Sequence, residues 1–296
     1  MRLSPTKMVR RRVNIDFDPA RSQDWFHSRK EVEYLMNAIS FILTPGERFF
    51  IRSVQNYQER ITDPILQAQV SDFIHQEAMH AVQHSRCNRA LAATFPFGPE
   101  IERVCTKMLR VFERIYPKAW QLAITCALEH FTTILADTLL RHQEAVIEHS
   151  EPEFAALWLW HTAEEIEHKS VCFDLYCNVV GRGVFAYLSR IFIMAGVSAT
   201  FVSVLFFSYW KIRKLGRTPG SSDGGKNRNE ENPHFWRLLK EVVPPKLYFD
   251  YYRPSFHPWM HDNLALLEEW KERYRGFGLA VPSDDLSGVQ PSHVPA

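Results

Sequence analysis

The sequence predicts an all-α protein, and three observations carry that expectation. From Ser22 to about Val180, apolar residues recur at spacings of three and four, the period of one helix face. The prolines of this stretch sit mostly where helices begin or end, and no alternating apolar and polar run marks a strand series. With 46% hydrophobic and 23% charged residues among 296, the chain has the apolar surface for a sizeable core and is not disordered throughout.

The elements follow in order. Residues 1–21 read as a flexible leading segment in which Arg10-Arg11-Arg12 is solvated. Helices are expected at 28–60, 63–92, 118–149 and 152–180, with a shorter one at 99–115. Pro45-Gly46 lies inside the first and should kink or divide it. Asp63-Pro64 offers the second an N-cap and first-turn pair, and Ser150-Glu151-Pro152-Glu153 offers the last another. Gly181-Arg182-Gly183 stops that last helix. Two helical hairpins, 28–92 and 118–180, are thus joined by a long crossover, one way of wiring a four-helix bundle over residues 22–183.

Within the apolar segment 184–215, residues 191–210 form 20 uncharged positions, about 30 Å as a helix and so the thickness of a bilayer core. Lys211, Arg213, Lys214 and Arg217 follow at once. Such a segment either covers the bundle as a buried helix or touches a membrane; hydropathy does not separate the two. Residues 216–233 read as a linker and 234–280 as a C-terminal helical segment with its helix at Trp259–Arg275. A disordered tail is expected over 281–296.

Charge and cysteine usage narrow the function classes. Thirty-five Lys+Arg against 34 Asp+Glu leave a formal charge of +1, no basic excess for nucleic acid. The five cysteines are odd in number and lack a C-x-x-C, which fits reduced thiols better than a disulfide framework or zinc ribbon. No apolar stretch follows the early basic residues as in a secretory signal. The expected location is the cytoplasm, at the inner membrane face if 191–210 touches lipid. The oligomeric state is left open.

Two predicted helices carry Glu-x-x-His: Glu77-Ala-Met-His80 and Glu165-Ile-Glu-His168. At i and i+3 the two side chains share a helix face, so each pair offers a carboxylate and an imidazole to one point. The motif alone is weak. A third copy, Glu231-Asn-Pro-His234, falls in the expected linker, where no helix should align it. The first two differ in lying mid-helix, one in each hairpin. The partner helices each add a glutamate. Glu47 lies on the stripe of Leu43, Phe50, Ile51 and Val54, and Glu129 among Leu122, Thr125, Cys126 and Thr132. An unpaired carboxylate on such a stripe is costly, and a metal relieves the cost. The bland alternative is an ion pair, for instance Glu165 with Lys169 at i+4.

The order Glu, Glu-x-x-His, Glu, Glu-x-x-His resembles the ferritin-like di-iron carboxylate proteins. More narrowly, Trp160-His161-Thr-Ala-Glu164-Glu165-Ile-Glu167-His168-Lys169-Ser-Val171-Cys-Phe173-Asp174 resembles a bacterial family described as predicted metal-dependent hydrolases. The resemblance implies that Glu47, Glu77 and His80 surround one metal and Glu129, Glu165 and His168 the other, with Glu77 and Glu165 bridging. It also implies two iron ions, with manganese or zinc as the other options, since the donors are oxygen and nitrogen without thiolate. His84 and His161 fall on the same helix faces, as extra ligands, supporting donors or ordinary buried histidines. His130 points about 100° away from Glu129 and is not expected to bind. Glu164 and Glu167 should face solvent or basic partners.

The reading preferred on sequence is an O2-dependent oxidoreductase acting on a hydrophobic, lipid-like substrate, with O2 and an electron donor as partners. That preference rests on fold-level likeness. The alternative is a hydrolase using a two-metal-activated water. A second alternative is a metal-free helical adaptor at a membrane. No Ser/His/Asp order, P-loop or dinucleotide fingerprint is present.

Overall fold

The computed structural model describes residues 5–215 and 231–274. Its helices are α1 (Lys30–Gln55), α2 (Pro64–Thr94), α3 (Gly98–Ile115), α4 (Lys118–Arg141), α5 (Gln143–His149), α6 (Pro152–His168), α7 (Val171–Val179), α8 (Val184–Leu215), α9 (Glu231–Val242), α10 (Pro245–Asp250) and α11 (Leu264–Tyr274). Among the described residues there is no strand, only an isolated bridge between Phe26 and Ser150. The fold is all-α.

Several signals act where the sequence places them. Asp63 caps α2, its Oδ1 accepting the Ile65 N–H at 2.9 Å. Gly181 follows α7 at φ 103°, a left-handed conformation that stops a helix at no cost only in glycine. At the start of α6 the pairing differs: Glu151 is the N-cap residue without a side-chain bond, and Ser150 joins the bridge to Phe26.

Three expected helix boundaries change for physical reasons. Pro45 does not divide α1, although it forfeits one intrahelical bond, because α2, α3, α4 and α8 all pack along this helix and hold it as one rod. The third expected helix ends at Arg141, and α5 resumes after His142. The fourth breaks at Lys169-Ser170, where the Lys169 ammonium leaves the helix line. It donates to the His261 carbonyl (2.7 Å) and Asn263 Oδ1 (2.6 Å) and lies 3.7 Å from the Trp259 ring centroid. Lys169 is therefore no partner for Glu165.

The leading segment also differs from expectation. Met8, Val13, Ile15 and Phe17 are buried, so the described part of residues 1–21 is a strap on the helices. Gln76 and Gln83 of α2 hold it through the Val9 carbonyl (3.1 Å) and the Val13 carbonyl (2.7 Å). Arg11, expected in solvent, is 4% exposed. Residues 216–230 and the tail 281–296 lie outside the described residues. Helix α9 already begins at Glu231, so the backbone of the third Glu-x-x-His copy is helical; Pro233 falls in the first turn, where its missing N–H has no partner to lose. The last helix is shorter than expected, Leu264–Tyr274, preceded by a 3-10 turn at Pro258–Met260.

The hairpins set the register of the site. On α1 and α2, Ser40 meets His84 and Asn88 while Glu47 faces Glu77, so the two run antiparallel. On α4 and α6, Glu129 meets His168 and Thr132 meets Glu165, again antiparallel. The apolar core divides into two clusters. One takes Leu35–Leu43 of α1 and Cys87–Leu91 of α2, the other Phe49–Val54 and Leu66–Phe73. Glu47, Glu77, His80 and His84 occupy the level between them.

Candidate metal centre

At that level the four helices bring together two groups of donors. Glu77, His80, Glu165 and His168 each offer one atom, all within 4.8 Å of one another, and Glu47, His84 and His161 do the same. All seven are at most 2% exposed. In the first group Glu77 Oε1 lies 3.6 Å from His80 Nδ1 and 3.1 Å from His168 Nε2. Glu165 Oε1 lies 3.8 Å from each of those nitrogens. A cation bonded to such donors at about 2.0–2.2 Å keeps them roughly 3–3.5 Å apart, so these spacings fit one ion with little adjustment.

The atoms are close without being bonded to one another. Both oxygens of Glu47, Glu77 and Glu129, and both ring nitrogens of His80 and His168, are buried with no aligned hydrogen-bond partner. They converge on shared points. Such a concentration of orphaned buried polar atoms is costly unless something binds there. Charge agrees, because no lysine or arginine pairs with Glu47, Glu77, Glu129 or Glu165 among the described residues. Four carboxylates without a fixed counter-charge are what two divalent cations neutralise.

The acid–base state of the bare cluster shows the same need. Burial would lower the His80 imidazolium, yet Glu164 and Glu77 outweigh it and push the group up to about 10. His168 is likewise raised, by Glu165 and Glu129 against burial. Burial raises Glu165, but His168, His161 and His80 together hold it at about 2. Glu129 is pushed up to about 8 by burial and by Glu165, and Glu47 goes well above the usual range through burial and Glu77. Protons on imidazoles do the work that a cation does better.

The second group has its own support. Ser40 Oγ donates to Asn88 Oδ1 at 2.7 Å, so its lone pairs face His84 Nδ1 at 2.9 Å and accept that N–H. His84 Nε2 is left as a lone pair, 3.2 Å from His161 Nδ1. Burial, with His161 and His80 beside it, keeps His84 well below its ordinary pKa and therefore neutral, as a ligand must be. His161 Nδ1 lies 3.9 Å from Glu47 Oε1, and its Nε2 3.2 Å from Glu165 Oε1. The ring thus links the two groups.

All six glutamates and histidines singled out on sequence meet here, but the grouping differs from the one the resemblance implies. Glu77 and Glu165 share a group with both motif histidines. Glu47 joins His84 and His161. Glu129 joins neither set: its Oε2 lies 3.2 Å from His168 Nδ1, the face of the ring turned away from Glu77. His130, as expected, is elsewhere, its Nε2 against the Leu247 carbonyl at 3.1 Å.

Sequence reasoning missed the outer supports. Arg11 Nη1 donates to Glu164 Oε1 (3.0 Å), and Nη2 to Glu167 Oε1 (2.7 Å). The other oxygen of Glu164 lies 3.2 Å from His80 Nε2. Glu164 and Glu167 do have a basic partner, but inside the protein, and Glu164 stands behind a donor imidazole. A carboxylate behind a ligating histidine fixes its tautomer and raises its basicity. Thr132 Oγ1 donates to Glu165 Oε2 at 2.5 Å, leaving Oε1 for the cluster. The alternating carboxylates of Glu164-Glu165-Ile-Glu167 were a signal for such a two-sided arrangement.

An all-α protein with a buried Glu/His cluster of this kind belongs among metal-dependent proteins. The chain belongs to the family of predicted metal-dependent hydrolases, whose model matches residues 9–262. No curated protein and no solved structure gives a significant match. The family description accords with the hydrolytic alternative and lends nothing to the oxidative preference drawn from sequence.

Proposed function

We propose that this protein is a hydrolase that works with two divalent metal ions held at the level of Glu47, Glu77 and Glu165. The observation that carries the proposal is the convergence of seven buried donor residues on two neighbouring points. Glu77, His80, Glu165 and His168 would hold one ion, and Glu47, His84 and His161 the other. When bound, such ions supply Lewis acidity and an acidified water.

The chain's own residues do the rest. Glu164 and Glu129 orient the two motif imidazoles from behind. Thr132 fixes one Glu165 oxygen and thereby the direction of the other. The apolar clusters on either side exclude bulk water and strengthen every charge interaction in the site. The fitting experiment measures metal per chain in protein purified without added metal, then ester and amide hydrolysis before and after chelation. About two metals per chain and an activity that chelation removes and Mn(II) or Zn(II) restores are expected. Protein that neither contains nor takes up metal overturns the proposal.

A second reading keeps its own support. Carboxylate and imidazole donors with no thiolate are also those of iron sites that handle O2. Two irons, an optical band that grows on exposure of the Fe(II) protein to air, and no hydrolysis would move the assignment to an O2-dependent oxidoreductase with an electron donor. We also propose that the outward face of α8 touches lipid.

A further inference from the structure

A cavity lies beside the metal centre, between α1, α4, α8 and α9. Its walls are hydrocarbon throughout, with one polar side chain, Thr132. A water-sized sphere finds only about 60 Å³ in which its centre can move, so the space is narrow. The lining residues of α1 run from Leu35 to Phe50, along about 22 Å of helix, so the space is long. Phe201 and Leu205 of α8 and Leu239 of α9 close it. Gly46, which has no side chain to obstruct it, precedes Glu47 in the chain. The single polar group of the wall is the one bonded to Glu165.

We propose that this cavity holds the unbranched hydrocarbon chain of the substrate, which delivers the reacting end past Thr132 to the metal centre. A void walled by hydrocarbon offers water no partners and stays dry, so polar substrates such as sugars or nucleotides gain nothing there. A flexible apolar chain gains the full burial of each methylene. The length along α1 suits a chain better than a compact ring. On the hydrolytic reading, on which the position of the scissile bond rests, the substrate is a long-chain acyl ester or amide. Water oxygen joins the acyl carbon, the acyl–oxygen or acyl–nitrogen bond breaks, and the water protons leave with the acid and the alcohol or amine.

The test is binding, with no turnover. Straight-chain alkanols of rising length compete against a fluorescent long-chain fatty acid on the full chain, both metal-loaded and metal-stripped. Affinity should rise about fourfold per methylene and then level off where the cavity ends. The variant Leu239→Trp, which fills the cavity from α9 at a distance from every donor residue, should weaken the probe at least tenfold with metal content unchanged. No saturable binding, an affinity that climbs without levelling, or equal binding by the folded variant overturns the proposal. If that variant does not fold, the length series on the native chain decides alone. Chain binding without metal uptake leaves the cavity assignment standing and removes the hydrolytic reading; metal uptake without chain binding does the reverse.

Discussion

At the scale of single residues, the cluster combines donors placed by local spacing with supports brought in from far along the chain. Glu-x-x-His is a local pattern, because a helix converts a spacing of three into a shared face. Arg11 stands 153 residues from Glu164, and nothing local marks it. Its burial follows from the strap, which the sequence shows as a polar leader. The arrangement makes two separable predictions. Arg11→Leu leaves Glu164 and Glu167 buried without their cation, and breaking a buried pair in this way costs about 3–5 kcal/mol. A thermal or urea melt reads that loss. Glu164→Gln keeps the volume but removes the charge behind His80, and metal affinity should fall ten- to a hundredfold with the melt little changed, read by competition with a chelating dye. Unchanged affinity would show that Glu164 merely neutralises Arg11.

The donors themselves give the sharper residue test. In Glu77→Gln combined with His80→Ala, the group of four keeps two members, and metal content should drop by at least half. A fully loaded variant would leave the convergence of these side chains without a role.

At the scale of elements, the sequence placed helix ends better than helix continuity. Asp63 and Gly181 act through their own backbone geometry, and both were read correctly. Pro45 and Lys169 depend on what packs around them. Proline was expected to kink or divide α1 and does not divide it, whereas Lys169, read on sequence as an ion-pair option for Glu165, follows the end of α6 with its ammonium on partners off the helix axis. The contact of α3 with α1 shows how tightly the crossover is docked. A Cβ on Gly98 would collide with the ring of Phe41, which is wholly buried. Gly98→Ala should therefore destabilise the fold by about 1–3 kcal/mol, the usual cost of overpacking, seen as a lower unfolding midpoint in urea. The paired variant Gly98→Ala with Phe41→Leu should recover part of the loss, since the shorter side chain vacates the space.

At the scale of the whole molecule, α8 is the feature that hydropathy alone left undecided. Among the described residues two helices are long and apolar enough to cross a membrane, α4 and α8. The most apolar window of α4 is 83% buried and needs no further explanation, whereas that of α8 is 28% buried. Its inner face, with Ile193, Met194, Val197, Leu205 and Tyr209, packs on α1 and α4. Its outer face presents Phe185 at 90% exposure and Phe192 and Phe207 at 66%. The sequence could not separate these faces because the segment is apolar all round, and only the packing of one side reveals the other as uncovered by the described residues.

The one charge between Phe185 and Trp210, Arg190, is buried against the Tyr251 and Arg253 carbonyls, so the outer face is uncharged up to Lys211, Arg213 and Lys214, which follow it directly. An apolar stripe ending in cations matches a bilayer of anionic lipid, which takes up the phenyl rings and attracts the basic end. Ser203 and Thr200 on this side return their hydroxyls to the Ala199 and Gly196 carbonyls, so neither asks water for a partner. The protein should therefore float with vesicles of mixed zwitterionic and anionic phospholipid, and less so at high salt as the cationic contribution is screened. Phe192→Glu with Phe207→Glu should release it while leaving metal content intact, because neither ring touches the donor groups. If the native protein ignores vesicles but sediments as a dimer that the same pair of substitutions dissociates, the face is an interface between two copies of the chain.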